Sequence, residues 1–250
     1  MRVFALKVPP TLPEETFDRL LHHLPERGAD RVRKFRHEAD AIRSIAGRLL
    51  PTWYLRHTGL VPSPTTPVFR HGPRGKPYLS APVLEPRIDF NTSHEGEYVL
   101  LAVVSSDGSG TVDVGVDVMD LPTDPDELVT KEKLHLAGTS GRIKAKLLTT
   151  LWTIKEGYTK ATGDGISFGL DRIAVDLGDG SVAGVKVDGR DIGEDGWRWA
   201  VGSIDAGAYG YAIIWRGDAA ERPDVKLEVL AWEDFVHAFI GSAGATGGGW

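Results

Sequence analysis

The feature that most constrains the fold of this chain is a long amphipathic helix predicted in residues 142–163, RIKAKLLTTLWTIKEGYTKATG. Its apolar side chains recur at the 3.6-residue period of a helix: Ile143, Leu147, Leu151, Ile154 and Tyr158. Gly163 is a typical helix stop. Short alternating segments separated by Asp/Gly turns follow, and they are typical of antiparallel strands. A helix followed by such a series of strands is typical of an α+β fold, which we expect for this chain.

The preceding half has a similar mixture of elements. Helices are predicted over LPEETFDRLLHHL and over EADAIRSIAGRLLPTWYL, where Pro51 is expected to cause a kink. IDFN, YVLLAVV and the strictly alternating VDVGVDVM are predicted strands. SSDGSG, residues 105–110, is the best candidate linker. We expect two similar subdomains, 1–110 and 111–250, with a flexible tail, GSAGATGGGW, from about residue 241.

Composition excludes several classes of protein. The 250-residue chain has no cysteine, which excludes disulfides, thiolate metal sites and cysteine nucleophiles. It has no apolar run near the roughly 20 residues of a membrane span, and its first residues do not form a secretory signal, so a cytoplasmic protein is expected. A pI of about 5.8 argues against nucleic acid as a partner.

Charge is distributed unevenly along the chain. The formal charge is +3 over residues 1–110 and −9 over the remainder. Such a division is found in proteins in which one half binds phosphates and the other binds a cation. It also arises from neutral variation of surface residues.

Acidic candidates lie in the second half. Asp117 is on the face of its predicted strand that carries no valines. This pattern is consistent with two roles, an oxygen ligand for Mg²⁺ and an exposed aspartate on an edge strand. Glu156 and Lys160 are four residues apart on the helix face opposite the apolar stripe. This spacing is also that of a common surface salt bridge, although Trp152 on the same side is an unusual residue to face solvent.

The segment FNTSHEGEYV places Ser93, His94 and Glu95 together before a glycine. A hydroxyl and an imidazole can both bind a phosphate, although a lone histidine at a strand end is often structural. Two clusters of basic residues can also be interpreted in two ways. Their side chains either bind phosphates, for which guanidinium groups are well suited, or belong to charged loops exposed to solvent. They are Arg31, Arg33, Lys34 and Arg36, followed by Arg70, Arg74 and Lys76.

Taken in order, GKPYL, FNTSHEGEYVLLAV, VGVDVM and LWTIKEGYTKATGDGI resemble the 4′-phosphopantetheinyl transferases. The resemblance is to the monomeric two-subdomain class typified by the surfactin synthetase activator. RVRKFRHEADAIRSIAGRLL is similar to the first helical region of that family, so the resemblance covers roughly residues 28–170. It implies a pseudo-twofold pair of α+β subdomains and a monomer.

The resemblance also implies an activity. Members transfer the phosphopantetheine arm of coenzyme A to a serine of an apo acyl or peptidyl carrier protein, with Mg²⁺, and release adenosine 3′,5′-bisphosphate. Asp117 matches a metal ligand, Glu156 a second metal ligand and the base, and Lys160 the lysine that steadies the pyrophosphate. Positions expected to contact coenzyme A are Arg31, Arg70, Lys76, Pro77, Ser93, His94 and Lys155.

One position departs from the family pattern. Many members have a second carboxylate two residues after the strand aspartate, where this chain has Met119, a poor ligand for a hard cation. Asp120 is expected on the opposite face, and we hypothesise that Glu95 supplies the missing oxygen. The residues between Leu121 and Gly141 also differ from the carrier-contacting helix common in the family. Two alternatives remain: a non-catalytic coenzyme A or carrier-binding protein, and a Mg²⁺-dependent phosphohydrolase.

Overall fold

A computed structural model describes residues 1–106, 110–125, 140–178, 181–217 and 225–241 of the chain. Within these ranges the protein has an α+β fold, which confirms the expected class. Its described helices are α1 (Glu14–Leu21), α2 (Glu26–Val32), α3 (Glu38–His57), α4 (Gly141–Thr162) and α5 (Trp232–Ile240). None of the helices in these ranges is both long enough and apolar enough to cross a membrane.

Strands form four sheets in the described part of the chain. The first six strands are β1 (Arg2–Lys7), β2 (Val68–His71), β3 (Pro77–Ala81), β4 (Ile88–Glu95), β5 (Tyr98–Ser105) and β6 (Asp113–Asp120). The others are β7 (Ile173–Gly178), β8 (Ser181–Val187), β9 (Arg190–Asp191), β10 (Trp197–Ile204), β11 (Tyr209–Arg216) and β12 (Leu227–Leu230). The sheet orders are β12-β1-β5-β4, β10-β11-β6, β2-β3 and β7-β8-β9.

Strand β5 explains how the two halves share a core. Its continuous apolar run is buried on both faces, as is typical of a central strand. Val99, Leu101 and Val103 pack into a core around α3, whereas Leu100 and Ala102 pack on the opposite side. This second core also contains the valines of β6, so a single apolar layer joins the β5 sheet to the β6 sheet.

The C-terminal segment returns to the N-terminal half. β12 pairs in parallel with β1, and α5 contacts α1 and α3. Leu230, Phe235 and Phe239 are part of the core around α3. The range 111–250, expected as one subdomain, therefore includes a segment that packs on the other half.

Several predicted elements differ in their bounds. The basic run after α1 is partly helical, because residues 26–32 form α2. α3 continues as a single helix through Pro51. Ile143, predicted on the apolar face of α4, is 52% exposed because the buried face is rotated toward Ala145 and Leu148.

Three expectations fall wholly or partly outside the described residues. They concern the middle of the linker at 107–109, most of the segment between Leu121 and Gly141, and the tail beyond residue 241.

Candidate active site

The site begins with strand β4, whose alternate side chains are polar and point toward β6. β4 is the edge of its sheet and β6 is the edge of another, so backbone N–H groups of β6 need acceptors from outside their own sheet. Three β4 side chains provide them: Asp89 Oδ2 accepts Val114 N–H at 2.7 Å, Asn91 Oδ1 accepts Val116 N–H at 3.0 Å, and Ser93 Oγ accepts Val118 N–H at 3.4 Å. We call Asp89, Asn91 and Ser93 the polar ladder.

At one end of the polar ladder lies the acid–lysine cluster, which consists of Ser93, Asp117, Glu156 and Lys160. Lys160 Nζ is 2.5 Å from Asp117 Oδ1, 2.9 Å from Ser93 Oγ and 3.9 Å from Glu156 Oε2. Ser93 also donates to Asp117 Oδ1 at 2.9 Å. Asp117 is only 6% exposed, so it is a buried member of the cluster rather than an exposed edge residue.

Two glycines allow α4 to approach β6 closely enough to form this cluster. A Cβ added at Gly115 would overlap the carbonyl oxygen of Gly157 and lie 2.5 Å from the backbone nitrogen of Ala161. A Cβ added at Gly157 would overlap Ile214. The backbone of α4 thus occupies the space beside Gly115, which brings Glu156 and Lys160 beside the strand.

The surroundings of Glu156 favour the protonated form of its carboxyl group. Burial raises the pKa of Glu156, and the nearby Asp117 carboxylate raises it further, while Lys160 acts in the opposite direction. The i,i+4 pair is therefore part of a half-buried charge cluster rather than an isolated surface salt bridge.

The donor set of the cluster suits a hard divalent cation. Asp117 and Glu156 present carboxylate oxygens to the same ammonium group, and their mutual repulsion is what a Mg²⁺ ion would relieve. Within the described residues, no three Asp, Glu or His side chains are arranged to hold a metal by themselves. Ligands beyond these two carboxylates would thus come from substrate phosphates, from water, or from a side chain that turns toward the ion. Glu95 is on the same alternating face of β4 as Ser93, and its Oε1 accepts the Gly96 N–H at 3.3 Å.

The opposite face of β4 borders a cavity of about 770 Å³, which we call the basic cavity. Phe90, Thr92 and His94 of β4 line it, together with residues of α3 and β2. Its basic lining residues are His22, His23, Arg48, Arg56, His71 and His94. No aspartate or glutamate of the described chain lines the basic cavity, so its charge suits an anionic ligand with an aromatic or apolar part.

Ser93 and His94, expected as a pair, lie on opposite faces because β4 continues through both residues. Ser93 belongs to the acid–lysine cluster, where one donated and two accepted hydrogen bonds use the full capacity of its hydroxyl group. His94 lines the basic cavity, and burial together with Arg43 and Lys160 lowers the pKa of its imidazole.

The other residues expected to contact coenzyme A are distributed around these two regions. Pro77 lines the basic cavity. Arg70 is exposed on β2 between Phe69 and His71, which both line the cavity, so the structure does not bring Arg70 into its lining. Lys155 precedes Glu156 on α4. Lys76 directs its ammonium group away from the cavity, to Asp89 and two backbone carbonyls.

Sequence reasoning missed Arg48. It lines the cavity, donates to Ser44 Oγ at 3.3 Å, and has its pKa lowered by partial burial and by the nearby Arg31. Arg31, which was expected to contact coenzyme A, is not among the residues that line the cavity. The available signal was the position of Arg48 within the apolar pattern of α3, beside Leu49 and Leu50.

Comparison with known proteins agrees with this geometry. Residues 10–106 match the N-terminal family of 4′-phosphopantetheinyl transferases, and residues 113–214 match the 4′-phosphopantetheinyl transferase superfamily. The 4′-phosphopantetheinyl transferase pptA of Paxillus involutus is 30% identical over 183 residues, which cover 66% of this chain and 69% of that protein. The phosphopantetheinyl transferase of Thraustochytrium sp. is 30% identical over 210 residues, covering 76% and 70%.

A bacterial relative extends the same likeness. The 4′-phosphopantetheinyl transferase of Bacillus subtilis is 27% identical over 188 residues, which cover 72% of this chain and 78% of the relative. The first matched region contains β4 and the second contains β6. The polar ladder and the acid–lysine cluster therefore lie at the β4–β6 junction, where the two matched regions contact each other. This chain therefore belongs to the 4′-phosphopantetheinyl transferase superfamily and is an enzyme of that class.

Proposed function

We propose that the enzyme transfers the 4′-phosphopantetheine arm of coenzyme A to a serine of an apo acyl or peptidyl carrier protein, requires Mg²⁺, and releases adenosine 3′,5′-bisphosphate. The observation that carries the proposal is the arrangement of two different regions on the two faces of β4. A cluster with two carboxylates and one ammonium group lies on one face of β4, and a basic cavity lies on the other. One elongated, polyanionic substrate can engage both.

Coenzyme A has the chemistry that this junction requires. Its adenosine bisphosphate end carries an aromatic base and a terminal phosphate, which match the apolar and basic lining of the basic cavity. We assign the terminal phosphate to His94 and Arg48, which line the cavity, and to Arg31, which is close enough to Arg48 to lower its pKa. Pro77 would contact the adenine side.

The residues of the acid–lysine cluster divide the chemistry between them. The serine oxygen of the carrier attacks the phosphorus that bears the pantetheine arm, and the bond from that phosphorus to the bridging oxygen breaks. Glu156 accepts the serine proton, for which its raised pKa is favourable. Lys160 donates hydrogen bonds to the leaving phosphate oxygens, and Asp117 and Ser93 hold its ammonium group in place.

Asp117 and Glu156 are the residues that would hold Mg²⁺, and the ion would supply positive charge to the pyrophosphate. Glu95 remains our proposed source of the oxygen that Met119 does not provide. Its place on the same face of β4 as Ser93 supports this role. If Glu95→Ala retained wild-type turnover and the wild-type Mg²⁺ requirement, the role would be excluded.

The decisive experiment is intact-protein mass spectrometry of an apo carrier protein after incubation with the enzyme, coenzyme A and Mg²⁺. Parallel reactions contain Glu156→Gln, which retains size and removes the base, and Lys146→Met, an exposed control on the same helix. We expect the phosphopantetheine mass gain with wild type and Lys146→Met, its loss with Glu156→Gln, and its loss on chelation of the metal.

The alternatives give different results in the same experiment. A non-catalytic binding protein would bind coenzyme A, measured by calorimetry, without modifying any of several unrelated apo carriers. A phosphohydrolase would release adenosine 3′,5′-bisphosphate from coenzyme A when no carrier is present. Either result would contradict the proposed transfer.

A further inference from the structure

The Lys76 side chain connects three elements at the junction. Its ammonium group forms an ion pair with the Asp89 carboxylate, and it donates to the carbonyl oxygens of Val114 and Ala161 at 2.9 Å each. The side chains of Lys76 and Asp89 are only 15% and 14% exposed. Three acceptors use all three ammonium hydrogens, so Lys76 has no donor left for a ligand.

The turn that carries Lys76 also covers the C-terminal end of α4. Arg74 forms an ion pair with Asp164 at 3.0 Å and donates to the Thr162 carbonyl oxygen at 3.4 Å. Gly163 ends the helix with φ +78°, and a Cβ there would lie 3.2 Å from the Lys76 Cβ. Two cations thus bind the last carbonyls of α4, where the helix dipole favours positive charge.

These contacts lie next to the reacting groups. Ala161, whose carbonyl oxygen binds Lys76, follows Lys160 directly in α4. Val114, the second carbonyl partner, is on the same strand as Asp117, and its N–H group binds Asp89. Lys76 and Asp89 therefore hold the helix and the strand that bring Lys160 to Asp117.

We propose that Lys76 is a positioning residue, which acts through Asp89 to hold α4 against β6 so that Lys160 and Glu156 keep their places beside Asp117. For its kinetic consequences this inference rests on the proposed function. Pro77, the next residue, lines the basic cavity, whereas the ammonium group of Lys76 stays within the protein.

The experiment compares Lys76→Met, Asp89→Asn and the double variant. The matched control is Lys186→Met, which breaks an exposed lysine–aspartate pair of 2.7 Å with Asp176, far from the junction in sequence. For each protein one measures kcat and KM for coenzyme A in carrier modification, the melting temperature, and amide hydrogen exchange over residues 158–165.

We expect Lys76→Met and Asp89→Asn each to lower kcat about 10-fold, with KM for coenzyme A within about twofold of wild type, since small displacements of reacting groups reduce kcat strongly. Lys76→Met should lower the melting temperature by roughly 10 °C, because it leaves a buried carboxylate without its partner. The double variant should melt higher than Lys76→Met and lose no more activity than the worse single variant. Lys186→Met should match wild type in every measurement.

Other results would overturn the inference. If Lys76→Met raised KM for coenzyme A more than 10-fold while Asp89→Asn left kcat and KM unchanged, Lys76 would be a substrate ligand. Failure of the wild type to modify any carrier would contradict the proposed function instead. In that case, faster exchange at residues 158–165 in Lys76→Met would still support the positioning role, and unchanged exchange would exclude it.

Discussion

The two faces of β4 differ in how their charged groups are paired. In the acid–lysine cluster, charges of both signs are matched: Lys160 contacts Asp117, Ser93 and Glu156, and the Ser93 hydroxyl uses its full capacity. In the basic cavity the charges have one sign, and among the described residues the buried Nε of Arg56 has no hydrogen-bond partner. The first region is organised by contacts within the protein, and we propose that the second receives the anionic part of the substrate.

This difference predicts how each region responds to mutation. A change in the acid–lysine cluster disrupts contacts that already exist, so it alters turnover and folding stability together. A change in the basic cavity removes repulsion or a ligand contact, so it alters binding more than turnover.

Lys160→Met gives the largest expected effect. It removes the ammonium group that we assign to the leaving phosphate, and kcat should fall about 10²–10³-fold. It also leaves the buried Asp117 carboxylate without its cation, so the melting temperature should fall as well. Carrier modification and circular dichroism measure both effects, with the exposed Lys146→Met as control. A fall in affinity for coenzyme A with unchanged kcat would remove Lys160 from the chemical step.

Gly115→Ala tests the close approach that creates the cluster. The added methyl group meets the backbone of α4 at Gly157 and Ala161, which cannot move without separating helix from strand. Overpacking of this kind costs about 1–3 kcal/mol or more, measurable by urea unfolding, and kcat should fall in parallel. Gly141→Ala is the control, since a Cβ there would meet Pro125 Cγ at an ordinary 3.9 Å and the residue does not line the basic cavity. Equal stability of Gly115→Ala and wild type would disprove the packing argument.

Local patterns predicted much of this fold. The α+β class, the long helices and the inward valines of β6 follow from periodicity, which depends on neighbours in the sequence. The site also depends on contacts between distant residues. The polar ladder shows this best, because Asp89 and Asn91 look like ordinary polar strand residues until β6 lies beside them.

The segment TSHEGE shows the same limit. The sequence favours a connection there, since it combines turn-forming residues with glycine, yet β4 continues through Glu95 because β5 supplies paired backbone partners. The extended backbone separates Ser93 from His94, one to each face. Composition indicated a basic half, but which cations share a cavity depended on how α3, β2 and β4 pack.

Arg48→Met tests the basic cavity with a smaller effect. We expect KM for coenzyme A to rise about 10-fold while kcat changes less than twofold, because one charged contact to phosphate is lost and the acid–lysine cluster is intact. Arg33→Met is the control, since Arg33 lies at the end of α2 and pairs with Asp30 at 3.9 Å. If kcat fell instead of affinity, the separation between the two regions would be wrong.

The smallest expected effect is a dependence of stability on pH that arises in the basic cavity. Partial desolvation lowers the pKa of the largely exposed His23, a backbone hydrogen bond with Phe239 acts in the opposite direction, and the nearby Arg56 again lowers the pKa. The unfolded chain therefore takes up this proton more readily than the folded protein, so stability is fully present above about pH 6.5 and decreases as pH falls toward the folded pKa. The loss of melting temperature between pH 7.5 and 5.5 should be smaller in His23→Gln than in wild type, whereas the exposed control His37→Gln should follow wild type. A bound polyanion should also reduce this loss, because its charge favours protonated histidine. An identical pH response in wild type and His23→Gln would show that the repulsion within the basic cavity does not act on His23.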